Sequence, residues 1–553
     1  MVYICACQNV SEISCRVDLW VPFALLPPPR PGMPPMTTFD IACALAATVV
    51  VLYGWQKLCK RTPIWVRQLD HLGVPRARDK PLVPGTVVVC GGSVAGILSA
   101  RVCADHFERV LVVDPDIENP GKRIIQWNAA HLYLCLFVTG VRRLWRNFDE
   151  VAKSFGGRIL PADLQFHYSG VQILGPHADY PNGDFPDTLL LRRASVQKSL
   201  YQLLRETKTR GKIEFLSGTV RSFKASADQS AIESITFRNS DGALETLNDV
   251  ALFIDCSGKS QAGFKWLRAA GYDIPDHIKC SYDPNMRYMT CTFLVTSDLV
   301  DRLPIPQAQK ETPVAYAYFP HDDTQSCFLG LSINDGNAVQ ILFGDTGMGH
   351  LPGSADELLP FLERYQGFAK PLPSWLFDTV RLLVQECVPE FDPINLNLLA
   401  FIQYHLLRPG ALPSNFVAVG DASVYLNPVH GQGFAKAMLN CITLNALLHA
   451  DSSARIPRDF SARYFNHSAK MMKGLWDATK LQDYGSTSCI PAIGETKETG
   501  RIARWVTARL ITASTKDSEI ASTLWHVRQM LAADAALFAP TVLWKVIWTP
   551  SMF

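Results

Sequence analysis

Phe416-Val-Ala-Val-Gly420-Asp421-Ala422-Ser423 runs on through Asn427-Pro428-Val429-His430-Gly431-Gln432-Gly433. A short apolar, β-branched run closed by glycine reads as a buried strand, and it delivers Asp421 at its end. Pro428 stiffens the loop, and the glycine pair opens a helix over 434–448. The first N–H groups of a helix have no intrahelical partner, so its start can hold negative charge.

A second stretch of the same kind lies far upstream. Thr86-Val-Val-Val-Cys90 reads as a buried strand, and Gly91-Gly92-Ser93-Val94-Ala95-Gly96 turns into a helix. In a dinucleotide fold the first glycine makes the tight turn and the second lets backbone approach the pyrophosphate. The third lets helix and strand pack closely, with phosphate charge on the helix N-terminus. Gly91 and Gly96 fit the outer positions, while Ser93 stands at the middle one, where its hydroxyl can donate to a phosphate oxygen. The next strand, 109–113, ends at Asp114, roughly twenty residues after the turn, where a carboxylate meets ribose hydroxyls. The plainer reading of Asp114 is a strand-end turn former before Pro115.

Between these lies Ile254-Asp255-Cys256-Ser257-Gly258-Lys259-Ser260, which is similar to the middle strand-and-turn motif of a known flavoprotein family. With all three in this order over roughly 84–450, the chain resembles the FAD-dependent monooxygenases of the flavoprotein hydroxylase and epoxidase type. It is similar in feel to fungal membrane-associated members acting on secondary metabolites, and more distantly to squalene epoxidase. The resemblance implies an α/β fold in which a Rossmann-like FAD-binding domain is interleaved with a β-sheet substrate domain. It also implies cofactor contacts from Gly91, Gly92, Ser93, Ala95, Gly96 and Asp114. Asp421 would bond the ribityl chain, Gly431, Gln432 and Gly433 would face the pyrimidine edge of the flavin, and Pro428 would sit against the ring. Arg193 matches a family arginine at a cofactor-side helix, with Arg192 as its rival. Arg123 and Gln126 sit where relatives place flavin-contacting side chains, and their plainer reading is a solvated helix start. Asp255 is more often structural in this motif. His131 and His430 are titratable candidates, but histidines beside apolar residues are usually bonded core residues.

The chain has 553 residues, 48% of them apolar and 19% charged, with a net charge of +2. This exceeds one core and excludes the basic stripes of a nucleic-acid binder. The 15 cysteines are scattered and lack metal-ligand spacing, which predicts reduced, buried thiols on the cytosolic side and no metal site.

Residues 1–38, with Pro27-Pro28-Pro29, predict a disordered tail, and Met36 offers an alternative start. The run from Ile41 to Leu58, about 18 residues, is near the lower limit for crossing a bilayer core. Its basic flank (Lys57, Lys60, Arg61) follows the run instead of preceding it, which disfavours a cleavable signal. A buried core helix would have to dock on a domain that starts some thirty residues later, so a transmembrane anchor over 39–58 is expected, single-pass and in the endoplasmic reticulum, with the catalytic domain cytosolic. A polar linker is expected over 59–84. The FAD and substrate domains follow over 85–465, with the substrate lobe mainly in 165–215 and 270–400, and then helices over 466–553. Pro540 is expected to interrupt the last apolar run, and the helices carrying Trp525, Trp544 and Trp548 either form an ordinary packed pair, cap the substrate lobe or lie on a membrane surface.

The resemblance implies that NADPH or NADH reduces the flavin, that O2 forms a C4a-hydroperoxide, and that a lipophilic substrate is hydroxylated or epoxidised. Candidate substrates are a polyketide, a terpenoid or a prenylated aromatic. No catalytic side chain is singled out. An oxidase or reductase, a halogenase or a non-enzymatic membrane scaffold on the same fold are the alternatives, although the Trp-x-Trp-x-Ile-Pro motif of halogenases is absent.

Overall fold

Val87, Val88 and Val89 are fully buried in the strand Val83–Cys90, the middle one of the five parallel strands of a seven-stranded sheet in the computed structural model. Continuous apolar sequence suits a parallel strand covered on both faces. Residues 38–549 are described, apart from 118–120, 122, 321–326, 346–348, 366–369 and 452. The expected tail over 1–38 lies, except for Thr38, outside the described residues.

On one side the central strand pairs in parallel with Val250–Asp255, which pairs with Phe416–Ala418. On the other it pairs with Phe107–Asp114, which pairs with Lys212–Ala225. The antiparallel strands Ile232–Asn239 and Leu244–Asn248 complete this sheet. All three sequence motifs thus end adjacent parallel strands on the same edge. The helices Val94–Cys103 and Gly433–Ala450 pack against each other beside it.

A second seven-stranded sheet, largely antiparallel, is built from Leu164–Tyr168 and Val171–Gln172 with strands between Met286 and Leu396. The chain visits the two sheets alternately, so the fold is mixed α/β with interleaved halves. The lobe boundary differs from the expectation. The helix Arg193–Glu206 lies against Val94–Cys103, and Lys212–Ser217 pairs with Arg109–Asp114, so 193–215 belongs to the nucleotide half.

The stretch expected as a linker is packed. Trp65, Leu69 and Leu72 form a helical stripe, with Leu69 and Leu72 buried in the main core. The Trp65 indole donates to the Met530 carbonyl at 2.9 Å, and Asn445 donates to the His71 carbonyl at 3.0 Å.

The anchor expectation also changes. A helix forms over Thr38–Cys59, but among the described residues no helix is long and apolar enough to cross a membrane. Its last turn carries Gln56 and Lys57 and docks on the protein. Gln56 donates to Thr541 at 3.0 Å, and Cys59 is buried in a satellite core with Leu510, Leu524 and Val542. That core belongs to the C-terminal helices Arg501–Ser514, Ser518–Arg528 and Pro540–Trp548. Pro540 starts the last of these and does not break it, because proline at the first helical position loses no hydrogen bond.

Candidate cofactor and active site

The turn after Val83–Cys90 is sterically closed to larger residues. Gly91 has φ +116°, and a Cβ there would stand 2.3 Å from the Cys256 carbonyl oxygen. A Cβ on Gly96 would stand 1.8 Å from the Gly91 carbonyl oxygen, so the helix rests directly on the turn. The Gly92 N–H donates to Asp114 Oδ2 at 2.6 Å, and the Asp116 N–H donates to Oδ1 at 2.7 Å. Asp114 therefore does the work of a strand-end turn former, and each oxygen keeps a second acceptor direction.

Ser93 caps the helix without a side-chain bond to it. Its Oγ accepts from Arg193 Nη2 at 2.7 Å, and Arg193 Nη1 donates to Gln197 at 2.9 Å. Arg193 is buried against the rings of Trp127 and Phe434, and burial lowers its pKa to about 10, so it is still a cation at neutral pH. Arg192 points elsewhere. It pairs with the buried Asp335 at 2.5 Å and ties this helix to the second sheet.

In the C-terminal motif, Gly420 has φ +67°, and its N–H donates to Asn440 at 2.9 Å. Asp421 Oδ1 accepts from Lys436 Nζ at 2.5 Å. Lys436 is buried and also donates to the Val424 carbonyl. The loop is held from below. Asn427 Oδ1 accepts the Val429 N–H at 3.1 Å, while its Nδ2 donates to Asp483 at 3.0 Å. Tyr282 also donates to Asp483, at 2.6 Å, and His430 lies 3.5 Å from it. Burial lowers the His430 pKa. Gly431 takes the left-handed conformation, φ +69°.

These pieces surround a cavity of about 270 Å³. Of the predicted site residues, Ser93, Ala95, Gln126, Arg193, Asp421, Pro428, Gly431 and Gly433 line it. Gly91, Gly92, Gly96, Asp114, Arg123 and Gln432 do not. Gly91 and Gly92 form the turn itself, and Gly96 and Asp114 pack against it. Arg123 is exposed and reaches Asp116 at 3.6 Å, and Gln432 is buried with an unpartnered Oε1. Asp255 is fully buried and accepts the N–H groups of Ser257 and Gly263 at 2.9 and 2.8 Å, a turn-holding role. His131 lines the cavity, with Nδ1 2.7 Å from the Ala129 carbonyl. Burial, reinforced by Arg193, lowers its pKa to about 4, so it is neutral.

Sequence reading missed Lys436, Tyr288, Phe434 and Arg528. Tyr288 lines the cavity and bonds Gln126. Tyr288 and Arg528 come from elements whose position depends on packing, while Phe434 and Lys436 stand in the helix opened by Gly433 without a pattern of their own that marks these contacts.

At the nucleotide end of the cavity, helix starts and the Arg193 guanidinium stand beside the Lys436–Asp421 pair. Two helix N-termini meet there, neither with an acid in its first turn, and Arg193 lies between them. A Cβ on Gly258 or Gly433 would meet nothing within 4 Å, so backbone borders open space at both. Anion-attracting N-termini beside small residues fit a dinucleotide such as FAD, with Asp421 placed for a hydroxylated chain. The opposite wall is apolar, from Phe166, Phe319, Leu329 and Leu331.

No family model matches the chain. Among curated proteins it is 25% identical over 431 residues to Protein Rv3254 of Mycobacterium tuberculosis, covering 72% of this chain and 79% of that one. Among solved structures, it matches PqsL, a probable FAD-dependent monooxygenase from Pseudomonas aeruginosa. The TM-score is 0.50 and the identity 15%, over 80% of this chain and 99% of that one. A variant of Klebsiella pneumoniae HpxO complexed with FAD gives a TM-score of 0.50 and 14% identity, over 81% of this chain and 99% of that one. The chain has the fold of the FAD-dependent monooxygenases.

Proposed function

We propose that the chain is an FAD-dependent monooxygenase that hydroxylates or epoxidises a lipophilic small molecule with NADPH or NADH and O2. The observation that carries this reading is the single cavity joining an anion-attracting nucleotide end to an apolar wall. Bound there, FAD would supply hydride acceptance and oxygen activation. The chain's own residues do the rest. The N–H groups at the starts of Val94–Cys103 and Gly433–Ala450 and the Arg193 guanidinium hold negative charge. Asp421, oriented by Lys436, accepts hydroxyl protons in hydrogen bonds. Pro428 and Gly431 shape the floor, which Asn427 and Asp483 keep in place. Phe166, Phe319, Leu329 and Leu331 exclude water and orient an apolar substrate. Neutral His131 and the Gln126–Tyr288 pair are polar positions at which a substrate oxygen can bond.

Purified protein should show the two-band yellow flavin spectrum. NAD(P)H consumption should be stimulated by substrate, and isotope-labelled dioxygen should place its label in the product. Colourless protein that does not bind added FAD would overturn the reading.

We further infer membrane association through exposed apolar surface, with the catalytic lobes on the cytosolic side. Val49, Val50, Val51, Tyr53 and Leu58 are each more than 60% exposed, as are Trp544 and Trp548 on the neighbouring C-terminal helix. Aromatic residues beside Lys57 and Lys60 suit the interfacial zone of an anionic bilayer.

A further inference from the structure

A second cavity, of about 50 Å³, lies directly behind the substrate wall of the first. The two share Phe166, Phe319 and Arg528. Phe166 and Phe319 meet edge to face at 5.5 Å, and the Arg528 guanidinium lies over Phe166 at 4.3 Å from its centroid. These three side chains form a neck between the cavities.

Beyond the neck the walls come from two separate parts of the chain. Leu164 and Ile173 belong to the outer strands of the second sheet and the loop after them. Ile511, Leu524 and Trp525 come from the C-terminal helices. The Trp525 indole donates to the Ala162 carbonyl at 3.0 Å, and the Leu174 N–H donates to the Ser514 carbonyl at 3.1 Å, which fixes the helices to the sheet. The lining is mostly hydrocarbon, and its polar side chains are Asp163, Tyr168, the bonded Trp525 indole and Arg528 at the neck. An apolar cavity offers water no partners and takes an apolar group instead. Arginine can shift its planar head while its stem keeps covering apolar surface, so this neck can admit a chain.

We propose that this second cavity is a subsite for the hydrocarbon tail of the substrate. The substrate is then an amphiphile, its oxidisable head in the first cavity and its tail passing Phe166 and Arg528 into the space beneath Leu524 and Trp525. The placement of the head rests on the proposed flavin chemistry, while the tail site rests on its own walls.

The test titrates the full-length protein with n-alkyl 4-hydroxybenzoates, from methyl to octyl, read by the flavin difference spectrum and by tryptophan fluorescence. Affinity should rise by up to about fourfold per methylene until the tail site is filled. Ala521→Phe, which fills the cavity from the helix side, should flatten that rise and bring long esters down to the affinity of the methyl ester. Leu174→Trp does the same from the partly exposed rim, where folding tolerates change. A slope unchanged in both variants, or no length dependence in the wild-type protein, would overturn the proposal. If the purified protein holds no flavin, the oxygenase reading fails, and the fluorescence titration still decides the tail site.

Discussion

Arg193 Nη2 donates to Ser93 Oγ at 2.7 Å, across the turn where a dinucleotide fold ordinarily has its middle glycine. The departure from glycine is thus occupied by a bond that aims a buried cation at the helix start. Ser93→Gly restores the usual turn but removes this acceptor. FAD affinity should fall by roughly tenfold, the scale of a hydrogen bond to a charged group, in equilibrium dialysis. Arg193→Gln should cost more, because the charge goes too.

Lys436 and Asp421 form an asymmetric pair, with side-chain exposures of 1% and 41%. Removing one partner of a buried pair costs about 3–5 kcal/mol when the remaining charge is buried. Asp421→Asn strands the buried lysine, whereas Lys436→Met leaves a carboxylate that water reaches. Denaturant unfolding of the apoprotein should therefore show the larger loss for Asp421→Asn.

His131 is held neutral, with a pKa lowered to about 4 by burial and by Arg193. The unfolded histidine titrates near 6.5, so between these values the unfolded state binds more protons. Stability is then fully present above about pH 6.5 and declines as the pH falls toward 4. His131→Gln should make unfolding midpoints less pH-dependent across this window. An unchanged slope would assign the acid sensitivity to the other histidines whose pKa values burial lowers, among them His106 and His167, to about 3 and about 4, and His430.

Asp483 supports the loop Asn427–Gly431 from beneath through Asn427 and Tyr282. Asp483→Leu leaves both donors buried without that acceptor. The expected loss is about 2–4 kcal/mol of stability, with faster flavin release measured by dilution of the loaded protein.

Trp544 and Trp548 stand 5.7 Å apart on an exposed helix face. Trp544→Ser with Trp548→Ser should reduce co-flotation with phosphatidylserine vesicles several-fold while leaving the thermal transition in place. Equal flotation would remove this helix from the membrane contact.

The strands at Thr86 and Phe416 were legible because short apolar runs rich in valine and leading into a glycine turn have few other uses, whereas the strand ending at Asp255 was marked only by the family resemblance. Their order along the chain also pointed to the nucleotide sheet, and Gly91 and Gly96 announced close backbone approach. The stretch 59–84 misled because its prolines and charges suggest a linker, although Trp65, Leu69 and Leu72 already share a helical face. The run 41–58 reads as a membrane span by composition, while the docking of Gln56 on Thr541 depends on a helix almost five hundred residues away.

Sequence by itself determined the parallel nucleotide sheet and the two glycine-opened helices, since these follow from local steric and hydrogen-bonding rules. Tertiary structure alone decided that Arg193 and not Arg192 faces the cavity. It also decided that Lys436 holds Asp421, and that Arg528 from the C-terminal helices lines both cavities. The physical reason is range. A turn constrains its own few residues, whereas a pocket wall is assembled from side chains whose meeting depends on how whole elements bury their apolar faces.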